Sequence, residues 1–185
     1  MQCIILTRND YGESHYIKPI TKKDEYDGLL KTFGVPFYIL QYKAGGKAPA
    51  VTKELAALYY RTAPALAYHN GGTTGNNPQF GQTAVPPEAM VQDSISFAAL
   101  LTSDADVKVT VTIGGTQIPA SFSKPPAAGA GTTGVYCGAV PMGTNTGAVS
   151  LIVTRGGTTV AGAKGGPELS SECQNNVQNW NGVAV

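Results

Sequence analysis

From Ala48 onward the chain is cut into short β-prone runs by Gly, Pro and Asn, and this spacing constrains its fold more than any other feature. The runs are Leu55 to Arg61, Asp93 to Leu101, Val107 to Ile113, Gln117 to Phe122, Gly134 to Val140, Ala148 to Thr154 and Thr158 to Ala161. Val107 to Ile113 alternates strictly between apolar and polar residues, which a side-chain period of two converts into one dry face and one wet face. Gly114-Gly115 and Gly156-Gly157 lie between β-prone residues and read as hairpin turns, because glycine reaches positive φ without a steric penalty. Six or seven short strands joined in this way predict an antiparallel β-sandwich. Two segments, Asn70 to Pro87 and Lys124 to Thr133, are compositionally loose and read as mobile surface connections. No internal repeat is visible.

The residues before Ala48 have a different character. Gln2 to Thr7 is a short apolar run without alternation, the pattern of a strand covered on both faces as in a parallel sheet. It ends in Arg8 to Tyr16, a loop dense in hydrogen-bonding and titratable groups. Thr21 to Lys43 then reads as helical, with Thr21 or Asp24 as N-cap and an apolar face of Tyr26, Leu29, Leu30, Phe33, Phe37, Leu40 and Tyr42. Pro36 interrupts it, so a kink or two short helices are expected, closed by Gly45-Gly46. Strand, loop and helix make one βα unit, which cannot form a core by itself. The expected division is therefore 1–47 and 48–185.

Charge and composition remove several function classes. Thirteen Lys and Arg face twelve Asp and Glu, so the surface has no broad field to attract a polyanion, and nucleic acid is not an expected partner. No apolar stretch reaches the roughly 18 residues of a membrane-spanning helix, and the start lacks the basic region and cleavage site of a secretory signal. His15 and His69 have no spacing partner and the cysteines are isolated, so neither a metal nor a cofactor is expected. Gly71 to Asn77 lacks the Gly-Lys-Ser/Thr ending of a phosphate-binding loop and reads as a flexible connection. Of three cysteines, Cys137 and Cys173 share the Gly- and Thr-rich half and are the expected disulfide, with Cys3 a buried thiol; three free thiols remain the alternative.

Glycoside hydrolysis uses two carboxyl groups across the scissile bond. Asp10 and Glu13, beside Asn9, Tyr11, His15 and Tyr16, are the concentrated candidates. Residue type alone also fits a solvated loop, since Asn-Asp-Tyr-Gly is ordinary turn chemistry.

Asn9-Asp10-Tyr11-Gly12-Glu13-Ser14-His15-Tyr16-Ile17, followed by Pro19, resembles the Trp-Asn-Asp-Tyr-Gly-Glu-Ser-His-Tyr-Ile segment of fungal α-1,3-glucanases, the mutanase-type glycoside hydrolases of family 71, along nine consecutive positions. Tyr38 to Lys43, Tyr59-Tyr60-Arg61-Thr62-Ala63-Pro64 and Val177 to Asn181 are similar to further segments of that family. The resemblance implies a (β/α)₈ TIM barrel with a β-sandwich behind it, hydrolysing α-1,3-glucan as an inverting endo-1,3-α-glucosidase, extracellular or in the cell wall. It makes 1–47 the last βα unit of the barrel, and it places Asn9, Asp10, Tyr11, Glu13 and His15 at the barrel mouth, binding sugar hydroxyls or orienting catalytic groups. The acid and base themselves are expected on earlier barrel strands, leaving Asp10 and Glu13 as candidates only.

Two positions depart from the family pattern. Arg8 stands where the family has Trp, exchanging a stacking ring for polar contacts, and Ala63 stands for His. With 185 residues against the roughly 200 a whole barrel needs, the expectation is a C-terminal part that is inactive alone and pairs with the missing barrel portion. The alternatives are a carbohydrate-binding or barrel-supporting module, and a truncated product whose exposed barrel strand invites aggregation. Tyr59, Tyr60 and Trp180 form either a sugar-stacking platform or, as such aromatics more often do, core.

Overall fold

A computed structural model describes residues 9–10, 15–16, 35–64, 67, 93–126, 128–172 and 183–184, with side chains described for all of these except 9–10, 15–16, 35–36 and 183–184. Its centre is two four-stranded antiparallel sheets. The first has the order β10 (Val183–Ala184), β3 (Leu55–Tyr60), β4 (Ser94–Leu101) and β7 (Gly134–Pro141). The second has the order β6 (Thr116–Ala120), β5 (Val107–Ile113), β8 (Val149–Arg155) and β9 (Thr158–Lys164).

The period-two pattern explains why the sheets close on one another. Leu58 and Tyr60 of β3, Ile95, Phe97, Ala99 and Leu101 of β4, and Tyr136 and Val140 of β7 face Val109, Val111 and Ile113 of β5 and Val149, Leu151 and Val153 of β8 in one buried cluster. The intervening residues of β5, Lys108, Thr110 and Thr112, stay outside that cluster, as the alternation predicts. Both expected glycine turns are hairpins. Gly114 (φ 54) and Gly115 (φ 92) join Ile113 to Thr116, and Gly156 (φ 56) and Gly157 (φ 85) join Arg155 to Thr158. Paired positive φ values are the primed-turn geometry whose twist matches that of the strands. Gly138 is required for a different reason, since a Cβ there would run into the Phe97 ring and the Ser121 carbonyl.

The sheet edges are modified rather than bare. β6 carries Pro119, which removes one backbone donor from an edge strand. The β7 edge is met by Lys124, which exchanges both backbone bonds with Cys137, at 3.0 and 2.9 Å. β9 is offset by an irregularity at Val153/Thr154.

α1 (Val35–Lys43) lies on the outer face of the first sheet, with Phe37 packed against Ala57, Ala98, Leu100 and Val135. Pro36 does not break this helix. It occupies the first turn, where the missing N–H has no intrahelical acceptor to disappoint. The closing glycines behave as expected: Gly45 (φ 65) and Gly46 (φ 94) are left-handed, and the Gly46 N–H donates to the Gln41 carbonyl at 2.9 Å. The strand expected at Gln2–Thr7, residues 21–34 of the expected helix, and the loop Asn70–Pro87 lie outside the described residues.

Two further expectations are corrected. Lys124 to Thr133 is tied down rather than loose. The Gly131 N–H donates to Asp104 Oδ1 at 2.6 Å, the Thr133 hydroxyl donates to the Thr102 carbonyl at 3.0 Å, and the buried Tyr136 hydroxyl donates to the Thr132 carbonyl at 2.5 Å. Cys137 is a free, half-buried thiol and not the partner of Cys173, which lies outside the described residues. Its side chain is taken up in apolar packing against the α1-side cluster, and burial raises its pKa, partly offset by Lys124.

At one end of the sandwich a polar clasp spans the two sheets. Arg155 Nη1 and Nη2, at the end of β8, donate to the two carboxylate oxygens of Glu54, just before β3, both at 2.9 Å. Arg155 Nη2 also donates to the Ser103 carbonyl at 2.6 Å, and Glu54 Oε1 accepts the Thr102 N–H and hydroxyl at 2.8 and 2.7 Å. Burial pushes the Glu54 carboxyl up, but the Arg155 and Thr102 hydrogen bonds and the Arg155 charge outweigh it and hold the group below its usual range.

Candidate functional site

Arg8 to Tyr16 was expected as an open loop, yet its two ends pair. β1 (Asn9–Asp10) and β2 (His15–Tyr16) form an antiparallel ladder in which Asn9 is opposite Tyr16 and Asp10 is opposite His15. Tyr11 and Glu13 belong to the connection and lie outside the described residues.

A second concentration of candidate residues lies on the outer face of the first sheet. Tyr59 and Tyr60 were read together as platform or core, and the strand separates them. Tyr60 is core, 2% exposed, donating its hydroxyl to the Pro167 carbonyl at 2.6 Å, and burial raises its pKa to about 12. Tyr59 faces outward and is 36% exposed. Trp180 lies outside the described residues. Tyr38 and Tyr42 of α1 are 51% and 58% exposed, and their separation of four residues places them one turn apart on one helix face. Tyr38 and Tyr59 both interact electrostatically with Cys137. Burial against the sheet raises both phenols, with Cys137 adding to the effect.

Leu40 and Tyr42 were expected on the apolar face of a helix running from Thr21, and this is corrected: both are exposed, because α1 packs on the sheet through Phe37; Tyr38 was not singled out as a surface group. Among the described residues, no three His, Cys, Asp or Glu side chains converge as metal ligands. No helix among them is long and apolar enough to cross a membrane.

The family model for glycosyl hydrolase family 71 matches residues 3–185. The chain belongs to that family. A mutanase, Pc12g07500 of Penicillium rubens, is 30% identical over 179 residues, covering 91% of this chain and 36% of the relative. The glucan endo-1,3-alpha-glucosidase agn1 of Schizosaccharomyces pombe is 30% identical over 182 residues, covering 89% of this chain and 36% of the relative. This family 71 chain thus spans about a third of the length of the curated relatives it matches. No solved structure matches it significantly.

Proposed function

We propose that the chain is the C-terminal part of a glycosidase acting on α-1,3-glucan, without turnover on its own. The observation that carries this reading is the family match over residues 3–185 combined with a span of about a third of each relative. In this reading residues 1–47 are the last βα unit of a (β/α)₈ catalytic barrel and 48–185 its accessory sandwich. The segment from Asn9 to His15 then lies at the barrel mouth, where Asn9, Asp10, Tyr11, Glu13 and His15 bind sugar hydroxyls or orient catalytic groups, with Asp10 and Glu13 as the carboxylate candidates, and the rest of the barrel is the protein partner. Extracellular or cell-wall placement follows from the same reading.

Reducing-sugar release from α-1,3-glucan, measured for the chain and for Glu13→Gln, tests it. Neither protein is expected to release sugar above a blank. Turnover by the chain that Glu13→Gln abolishes would place a working catalytic centre within these residues and overturn the incompleteness.

A second reading, a carbohydrate-binding module without catalysis, is favoured by one observation. Among the described residues, the cluster buried between the two sheets draws on residues 56–169 and on no side chain of α1.

A further inference from the structure

A helix that is apolar all the way round is, in a folded protein, a helix covered all the way round. α1 is apolar in this sense yet covered along one row only. Its sequence, Val-Pro-Phe-Tyr-Ile-Leu-Gln-Tyr-Lys, carries Lys43 as its single charge, at the last position. Phe37 is 6% exposed against the first sheet, whereas Tyr38, Ile39, Leu40 and Tyr42 are 51%, 44%, 52% and 58% exposed. At about 100° per residue, Ile39 lies roughly 200° round from Phe37, with Tyr38 and Tyr42 on one shoulder of it and Leu40 on the opposite flank. Single exposed hydrophobics are ordinary. Here four of the six large ones exposed among the described residues fall within five consecutive positions, and such clustering marks an interaction surface. The sandwich does not account for them, because its inner cluster takes no side chain from α1, which docks from outside through Phe37.

We infer that the outward side of α1 is a protein-docking surface whose occupant is the part of a family 71 protein that lies outside this chain. α1 is then a joint, held by the sandwich on its Phe37 side and by that part on its Ile39 side. The inference rests on the reading of the chain as a C-terminal part. Two observations select the occupant. The match covers 36% of each curated relative, which leaves nearly two-thirds of a relative without a counterpart here, a body large enough to carry the opposing surface. The chemistry of the patch is also that of a protein contact. Ile39 and Leu40 offer no polar atom to a sugar hydroxyl, and Lys43 alone supplies neither the cationic face of a membrane-surface helix nor a field for a polyanion. A second copy of this chain is the rival occupant.

The test compares the free chain with a graft in which it replaces the matched region of the Penicillium rubens mutanase. Hydrogen exchange of the 37–43 amides is followed by mass spectrometry in both, with Ile39→Lys as the variant and Ile152→Lys, at the same 44% exposure on β8, as its control. The α1 amides are expected to exchange roughly tenfold more slowly in the graft, Ile39→Lys to abolish that slowing, and Ile152→Lys to leave it unchanged. In the free chain Ile39→Lys should not move the melting temperature, whereas Phe37→Ala should lower it. A free chain that Ile39→Lys destabilises as much as Phe37→Ala does would show the patch already buried and overturn the docking, whether or not the graft folds. A free chain that sediments as a dimer, and as a monomer in Ile39→Lys, would give the surface to a second copy and overturn it likewise. Equal exchange in the free chain and in a graft that hydrolyses α-1,3-glucan would overturn the docking and leave the reading of a C-terminal part intact. Slowed exchange in a graft without hydrolysis would keep the docking and count against that reading, and equal exchange without hydrolysis would overturn both.

Discussion

Replacing Arg155 with leucine should destabilise the sandwich by an amount set by how far its ion pair is removed from water. The variant loses two bonds to Glu54 and one to the Ser103 carbonyl, and leaves the Glu54 carboxylate facing Thr102 without its cation. Breaking a fully buried pair costs about 3–5 kcal/mol, whereas an exposed pair is worth about 1 kcal/mol or less. Here the Glu54 side chain is 11% exposed and the Arg155 side chain 29%, so the pair falls between these limits. A loss of roughly 2 kcal/mol is expected, lowering the melting temperature by about 4–8 °C for a chain of this size.

The sign with pH follows from the depressed Glu54 pKa. A carboxyl whose folded pKa lies below its unfolded value contributes stability above the unfolded pKa, and that contribution disappears as pH falls through the folded value. The gap between wild type and Arg155→Leu should therefore be full near pH 7 and should shrink below about pH 4. Thermal melts followed by circular dichroism at several pH values measure both quantities. A variant that melts within about 1 °C of wild type near neutrality, or a gap that persists unchanged in acid, would refute the role given to the clasp.

Two further outcomes are expected. Tyr60→Phe removes the bond to the Pro167 carbonyl and should cost about 1 kcal/mol in urea unfolding, with equal midpoints counting against that bond. Asp106 sits at φ 56, so Asp106→Gly should stabilise by roughly 0.5–1 kcal/mol, and a destabilised variant would show that the Asp side chain is needed there.

The strands were legible because their pattern is local. Val107–Ile113 has the bounds its alternation predicted, and the two Gly-Gly turns fall where positive φ was expected, since each signal is written within a few residues. Pro36 stands in the first turn of a helix that begins at Val35, while the stretch before it, on which the expected kink or pair of helices depends, lies outside the described residues. The fixed conformation of Lys124 to Thr133 depends on Asp104 and Thr102, and the clasp joins Glu54 to Arg155; neither partnership leaves a mark on nearby sequence. Tyr59 and Tyr60 are a different kind of miss. The period of two that located the strand already places consecutive residues on opposite faces, so one ring had to be core if the other was surface. Around Asp10 the residue types were visible and the family resemblance was correct, but the opposition of Asp10 to His15 comes from strand pairing, which loop composition does not encode.

The treatment of the sheet edges bears on how such a domain behaves when handled apart from a larger protein. An open β-edge is a template on which a second chain can extend the sheet, and growth by that route needs an unbroken row of donors and acceptors. Pro119 breaks the row on β6, and the Lys124 bridge occupies part of the row on β7. Self-association through edge-to-edge strand addition is thus disfavoured at both places.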